Sequence, residues 1–130
     1  MRSLLFVPAD SGRKLDKAMA SGADAVIIDL EDSIAAENKA AARKSAADFL
    51  KDAVPQDKRP RLLVRINGLQ TGLADADLDA IVSARPDAIM LPKAEGGASI
   101  VHADAKLTAR EALAGLAEGS IGIVAIATAT

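Results

Sequence analysis

The sequence contains no cysteine, which excludes disulfide bonds and thiolate catalysis. It has no tryptophan or tyrosine and only two phenylalanines, so its core must be built from aliphatic side chains. A single histidine, His102, is too little for a zinc site without cysteine. His102 lies in a polar stretch, and we expect it on the surface. A chain without cysteine fits a reducing compartment, and we predict a cytoplasmic protein.

The charge pattern lacks any basic stripe. The chain has 16 lysines and arginines against 18 acidic residues, mixed along its length, and a net charge of −2. With almost no aromatic residues to stack on bases, we predict that it does not bind nucleic acid. The apolar run Leu4–Val7 is too short for a signal-peptide core or a membrane span, so we predict no membrane association.

What the chain has is aliphatic material in alternating patterns. Half of its 130 residues are hydrophobic, and this length is typical of one domain. Apolar runs predict strands at residues 4–7, 25–30, 62–66, 88–91 and 121–127. Helical spacing predicts helices at residues 11–21, 34–50 and 98–116, the last in two pieces, and a further helix with Leu78, Ile81 and Val82 on one face. Regular alternation of strands and helices predicts a parallel α/β sheet with right-handed crossovers.

Polar residues cluster at the carboxyl ends of the predicted strands, where both an open doubly wound sheet and a barrel place their ligands. No glycine-rich nucleotide motif follows the first strand, which weighs against the doubly wound alternative. We therefore predict a (β/α)₈ TIM barrel, of which this chain supplies about the first five strands. Residues 1–130 would form the N-terminal part of a single catalytic domain. The polar residues are Asp10, Asp29, Glu31, Asp32, Arg65, Asn67, Lys93 and Glu95.

A complete barrel takes roughly 250 residues, so we expect this chain to stop before the catalytic site is complete. The edge of the last strand would then be open. Apolar side chains would also remain exposed, and we expect the chain to associate into homo-oligomers.

Five segments, in order and at compatible spacing, resemble the citrate lyase β-subunit/HpcH aldolase family of CitE-like proteins. Together they cover nearly the whole chain. The segments are RSLLFVP at residues 2–8, DLEDS at 29–33, Lys39 with Arg43, VRING at 64–68, and MLPKAE at 90–95.

The resemblance implies a barrel enzyme that cleaves or forms a carbon–carbon bond next to a carbonyl group. Its implied substrates are acyl-CoA esters such as citryl-CoA or malyl-CoA, and its implied cofactor is Mg²⁺. Two alternatives stay open. One is a catalytically inactive half-barrel that binds a small carboxylate or a partner subunit, and the other is a metal-dependent aldolase that acts on free keto acids.

Arg65 stands in an otherwise apolar strand, where a charge needs a partner or a function. The resemblance implies that Arg65 clamps the substrate carboxylate, with Asn67 and Lys93 also binding substrate. Alternatively, Arg65 forms a structural ion pair with Asp29 or Glu31, and Lys93 pairs with an aspartate of a neighbouring strand.

The acidic residues after the second strand have two interpretations. Glu31 and Asp32 could hold metal-bound water as catalytic residues, or Asp32 could cap the following helix. We expect a structural role for Asp29. Lys39 and Arg43 share one helix face and could reach acidic groups at the strand ends, or could lie in solvent.

The family implies a direct metal ligand, a glutamate, at the end of the fifth strand. Here that position holds Ala127 or Ala129, depending on the alignment. The second ligand, an aspartate, belongs to a later strand, so this chain contains no direct metal ligand of the family site.

Arg2, Arg13 and Lys14 are candidates for binding the phosphates of CoA. The alternative is that they are ordinary surface charges.

Overall fold

A computed structural model describes residues 3–94 and 97–127 of the protein. Five strands alternate with four α-helices, as the sequence predicts. Short 3₁₀ turns occur at Ala36–Asn38, Leu69–Thr71 and Val82–Ala84. The strands are β1 (Leu4–Pro8), β2 (Ala25–Asp29), β3 (Arg61–Arg65), β4 (Ala88–Ala94) and β5 (Gly122–Ala127). The helices are α1 (Gly12–Ala20), α2 (Lys39–Ala53), α3 (Ala74–Ile81) and α4 (Gly97–Leu113).

All neighbouring strands are parallel, and their order in the sheet is the order of the chain, β1-β2-β3-β4-β5. A doubly wound sheet would reverse this order at a switch point. Helix residues from all four helices, Leu15, Leu50, Leu78 and Leu107, belong to one core with the same face of the sheet. Sequential strands with helices on one face form the wall of a barrel, which confirms the predicted fold class.

The opposite face of the sheet is the inner face of that wall. Alternate strand residues form a small buried cluster there: Ala25, Ile27, Leu63, Ala88 and Met90. Since side chains alternate along a strand, Asp29 follows Ile27 on this face and Arg65 follows Leu63. Asp29 and Arg65 are also register partners in β2 and β3. The fold thus brings the acidic Asp29 and the basic Arg65 together at the carboxyl end of the inner face. We call this end the barrel mouth.

Several predicted boundaries were wrong. The second helix, predicted at residues 34–50, begins only at Lys39, after the 3₁₀ turn at Ala36–Asn38, and ends at Ala53. The fourth strand does not end at Pro92 but continues to Ala94, with a shift of register between Leu91 and Ala94. Proline lacks an N–H group and so interrupts the ladder there without ending the strand. The last helix is continuous and not in two pieces, because Ala103, Leu107 and Glu111 form one buried stripe at helical spacing.

At the amino ends of the strands, the partly buried Asp87 and the buried Glu111 fix the loops that enter the sheet. Asp87 accepts hydrogen bonds from Arg59 Nη1 at 2.7 Å and from the backbone N–H of Leu62 at 2.8 Å. Glu111 accepts from the backbone N–H groups of Gly119 and Ile121. In barrels this end serves stability, and these residues provide controls for the mouth. Within the described residues, no helix is long and apolar enough to cross a membrane.

Candidate active site

Arg65 and Asp29 form a bidentate ion pair at the mouth. Arg65 Nε donates to Asp29 Oδ1 at 2.8 Å, and Nη2 donates to Oδ2 at 2.7 Å. Asp29 is 1% exposed, while the Arg65 side chain keeps 17% exposure. The predicted ion pair between these residues is therefore present, and Arg65 is held in one orientation with part of its surface open.

The Asp29 carboxylate also organises the turn that follows β2. It accepts hydrogen bonds from the backbone N–H groups of Glu31 and Ser33, both at 2.9 Å, and from the Ser33 hydroxyl at 2.6 Å. Burial disfavours its charged form, but the hydrogen bonds from Arg65, Ser33 and Glu31 outweigh burial and hold the pKa of Asp29 well below its ordinary value. With five bonds accepted, Asp29 acts as a scaffold and is not available as a metal ligand.

Arg65 has further neighbours on two sides. Its Nε lies 3.7 Å from Glu31 Oε1, and its guanidinium carbon lies 4.8 Å from the centre of the Phe6 ring. The hydrogen bonds to Asp29 raise the pKa of Arg65 despite its partial burial. Both bonds to Asp29 use the Nε side of the guanidinium. The edge formed by Nη1 and the second Nη2 proton makes no hydrogen bond to another described residue, and this edge can bind a carboxylate.

Glu31 and Asp32 differ in their surroundings. Glu31 is buried beside Arg65, whereas Asp32 is exposed to solvent. Among residues 3–94 and 97–127, no three side chains of the metal-binding types come together as a cation site. The described residues thus do not by themselves supply a complete set of protein ligands, although Glu31 and Asp32 are carboxylates of the kind that hold water around a magnesium ion. The predicted ligand positions, Ala127 and Ala129, lie outside the described side chains.

Behind the mouth, a polar network joins the ends of β2 and β3 to the helices. Lys39 Nζ donates to the carbonyl oxygens of Leu30 and Glu31, both at 3.0 Å, and to Asn67 Oδ1 at 2.8 Å. The Asn67 side-chain amide donates to Leu30 O at 3.0 Å and to Asp77 Oδ2 at 2.7 Å. Asn67 is 3% exposed and directs its whole side chain into this network.

Asp77 closes the network from α3 and was not singled out from the sequence. Its Oδ2 also accepts from the backbone N–H of Asn67 at 2.7 Å, and its Oδ1 accepts from Arg43 Nε at 2.7 Å. The signal was available, since Asp77 shares the buried face of α3 with Ala74, Leu78 and Ile81. A carboxylate at such a position needs a buried partner.

The remaining predicted residues lie apart from this centre. Arg13 and Lys14 are exposed in the first turn of α1, and His102 is exposed on α4. Asp10 is exposed just after β1. The predictions for Arg2, Glu95 and the Lys93 side chain lie outside the described residues.

The family profile of the HpcH/HpaI aldolase/citrate lyase family matches residues 2–129. The chain belongs to the HpcH/HpaI aldolase/citrate lyase family. It is 40% identical over 100 residues to a (3S)-malyl-CoA thioesterase of Cereibacter sphaeroides, a match that covers 76% of this chain and 34% of the relative. It is 32% identical over 124 residues to the citrate lyase subunit beta of Haemophilus influenzae, covering 95% of this chain and 42% of the relative.

Solved structures of related proteins have the same fold as this chain. The citrate lyase beta subunit of M. tuberculosis, complexed with oxaloacetate and magnesium, gives a TM-score of 0.65 at 34% identity, over 94% of this chain and 56% of that chain. The M. tuberculosis protein in complex with magnesium, acetoacetate and coenzyme A gives a TM-score of 0.64 at 34% identity, over 94% and 47%. Haloferax volcanii malate synthase gives a TM-score of 0.82 at 17% identity, over 95% of this chain and 41% of that chain. At this identity the similarity supports the fold alone.

These comparisons confirm the predicted family and the partial TIM barrel. The chain spans well under two thirds of the length of the curated relatives, with 34% and 42% of the two named above. The relatives include an enzyme named as a thioesterase and another named as a lyase subunit.

Proposed function

We propose that residues 1–130 form the N-terminal part of a TIM-barrel catalytic domain that cleaves, or forms, a carbon–carbon bond in a citryl-CoA or malyl-CoA type ester. The observation that supports this proposal is the orientation of Arg65. Asp29 holds one edge of its guanidinium at the barrel mouth, and the other edge forms no hydrogen bond to another described residue.

Arg65 is the residue that would bind the free carboxylate of the acyl group. A planar guanidinium can bind a carboxylate on each of two edges, and each contact is a charge-assisted pair of hydrogen bonds. Asp29 fills the first edge and fixes the plane. Since substrate orientation rather than affinity alone sets the rate, a fixed plane favours catalysis. Asn67 would contribute through its contacts behind the mouth.

Glu31 and Asp32 would serve the cation-dependent part of the reaction. A magnesium ion, when bound, would supply polarisation of the oxygen of the keto or hydroxy acid next to the bond that breaks. The direct ligands of such an ion would come from outside the described residues. Glu31, buried next to Arg65, and the exposed Asp32 are the carboxylates that this segment can offer to water around the site.

The CoA part of the substrate would meet the first turn of α1. Arg13 and Lys14 are exposed there, directly after the carboxyl end of β1, and cations at this place can bind phosphate groups. Arg2 belongs to the same proposal. The cytoplasmic location remains part of this proposal as well.

Thioester hydrolysis is a second candidate, because the chain is 40% identical to an enzyme named (3S)-malyl-CoA thioesterase. The same carboxylate clamp would serve both reactions. They differ in the bond that breaks: a lyase breaks a carbon–carbon bond, and a thioesterase breaks the carbon–sulfur bond with water.

Product analysis separates the candidates. The full gene product is incubated with malyl-CoA and magnesium, and glyoxylate and free CoA thiol are measured. Carbon–carbon cleavage releases glyoxylate with acetyl-CoA, whereas hydrolysis releases malate and the thiol. Glyoxylate without thiol supports the lyase, thiol without glyoxylate supports hydrolysis, and neither product rejects both.

The inactive half-barrel and the aldolase for free keto acids are tested in the same assay. An aldolase would cleave a free hydroxy keto acid and leave the CoA ester intact. A half-barrel would bind oxaloacetate without turnover and without magnesium. Arg65→Ala should lower turnover by about 100-fold, and Arg59→Ala, the matched change at the amino ends of the strands, should not.

A further inference from the structure

We propose that Lys39 is a positioning residue, which fixes Glu31 relative to Arg65 by joining the chain segments that follow β2 and β3. This inference rests on the proposed function for its catalytic consequence. Its structural part is independent of any substrate.

The Lys39 ammonium binds the backbone on both sides of the Glu31 α-carbon. It donates to two successive carbonyl oxygens, those of Leu30 and Glu31, both at 3.0 Å. These carbonyl groups belong to the peptide units on either side of the Glu31 α-carbon. A cation bound to both restricts the backbone rotation that would swing the Glu31 side chain. Lys39 thus acts on Glu31 through its backbone, and the Glu31 carboxylate keeps its contact with Arg65.

Lys39 also links this backbone to the segment that follows β3. The third Lys39 contact is Asn67 Oδ1 at 2.8 Å, and the Asn67 amide donates back to Leu30 O at 3.0 Å. Asn67 is two residues beyond Arg65 in the same extended segment. The triangle of Lys39, Leu30 and Asn67 therefore ties the segment that holds Glu31 to the segment that holds Arg65.

The charges around Asn67 are balanced. Asp77, with its side chain fully buried, is balanced by Arg43 at 2.7 Å and holds both the backbone and the side-chain amide of Asn67. The amide orientation is thereby set, so that its oxygen faces Lys39. All donors of the ammonium are matched to acceptors, which is the condition under which a partly buried polar network makes a structure rigid.

If Lys39 only stabilised the fold, its loss would have a different effect from the loss of a positioning residue. The substrate carboxylate meets Arg65, which is held by Asp29, whereas Lys39 acts on Glu31. Loss of Lys39 should therefore lower the rate of the chemical step with little effect on carboxylate affinity. A change that only loosened the fold would weaken both together.

The chain without cysteine permits a chemical test of Lys39. In the Lys39→Cys variant the new thiolate, alkylated while unfolded, displaces bromide from 2-bromoethylamine and forms a carbon–sulfur bond. The product carries a primary ammonium at the distance found in lysine. Alkylation with iodoacetamide gives a neutral control, and Lys44→Cys, at an exposed position of the same helix, controls for the treatment.

The first readout is amide hydrogen exchange of the 130-residue chain. We expect the Glu31 and Ser33 amides to exchange at least about tenfold faster in Lys39→Cys, with recovery after aminoethylation and not after the neutral alkylation. If the Lys39→Cys variant does not refold, hydrogen exchange of the wild-type chain tests the Lys39 contacts instead. Its Lys39 ammonium protons should be protected from exchange with water and those of Lys44 should not, and equal exchange would overturn the inference.

The second readout uses the full gene product. Lys39→Met should lower kcat by about 100-fold and leave oxaloacetate affinity within about threefold, and Lys44→Met should change neither. An equal loss of rate and affinity would refute a positioning role. If the unaltered protein has no activity, the proposed function fails, and the exchange measurements still accept or reject the Lys39 contacts.

Discussion

Asp29 and Arg65, register partners on neighbouring strands, share two hydrogen bonds of 2.8 and 2.7 Å through the Nε side of the guanidinium. Asp29 receives three further bonds from Glu31 and Ser33. One carboxylate thus fixes both the orientation of Arg65 and the turn that holds Glu31.

Asp29→Asn should lower the free energy of unfolding by about 3 kcal/mol at neutral pH, because the Arg65 charge loses its buried partner. The folded-state pKa of Asp29 lies below its ordinary value of 3.8, so its charge stabilises the fold above that pH. The contribution is lost as pH falls and the unfolded chain takes up a proton first. Urea unfolding should therefore show a difference between variant and wild type that narrows below about pH 4.

The exposed Asp48→Asn variant is the control for Asp29, and it should show no such change with pH. A constant difference between Asp29→Asn and the wild type at all pH values would contradict the low pKa.

Phe6 contacts Arg65 through its ring, whose centre lies 4.8 Å from the guanidinium carbon. Phe6→Leu should remove about 1 kcal/mol of cation–π attraction and weaken oxaloacetate binding by about threefold. The measurement is calorimetric titration. Phe49→Leu, the same change at the other phenylalanine, should leave the affinity unaltered, and an equal effect of both changes would show that the Phe6 ring acts only by packing.

Glu111 should affect stability and not binding. It is 1% exposed and accepts hydrogen bonds from two backbone N–H groups that precede β5. Glu111→Ala should cost about 2 kcal/mol in urea unfolding, because both groups lose their partner. The exposed Glu118→Ala variant should cost nothing measurable. Reduced oxaloacetate affinity in a folded Glu111→Ala protein would contradict the division between the two ends of the strands.

The free margins of the sheet should drive association of this 130-residue chain. Leu4 and Phe6 in β1 and Val124 in β5 are 49%, 48% and 40% exposed. Sedimentation velocity should show oligomers at roughly 100 µM, and the double change Leu4→Ser with Val124→Ser should reduce them. A wild-type chain that stays monomeric at this concentration would show that the exposed apolar margins do not associate.

The order of strands and helices could be predicted from the sequence because aliphatic runs and helical spacing are local signals. The polar cluster at the mouth followed from strand ends meeting in a parallel sheet. The end of the fourth strand could not be predicted from Pro92. Whether a proline ends a strand or only interrupts its hydrogen-bond ladder depends on the neighbouring strand.

The partners of the site residues were less accessible. Arg65 was visible as a charge in an apolar strand, but the sequence could not decide between a substrate clamp and an ion pair. The structure shows the ion pair, and its geometry leaves an edge for the clamp. The contacts of Lys39 are mainly backbone carbonyl groups, which have no sequence signature. Asp77, in contrast, could have been found as a carboxylate on the buried face of a helix.

The most direct test is oxaloacetate binding by Arg65→Lys, compared with Arg59→Lys. Lysine retains the charge beside Asp29 but cannot present two edges to two carboxylates at once. Arg59 forms a similar bidentate pair with Asp87, at 2.7 and 3.2 Å, but at the other end of the strands. The comparison therefore measures how much the second edge of the Arg65 guanidinium contributes to oxaloacetate binding.

Titration with and without magnesium measures the dissociation constant for both variants and the wild type. We predict that Arg65→Lys binds oxaloacetate at least about tenfold more weakly, a loss of about 1.4 kcal/mol, while Arg59→Lys binds like the wild type. Equal affinity for Arg65→Lys and the wild type would contradict the assignment of Arg65 as the carboxylate clamp.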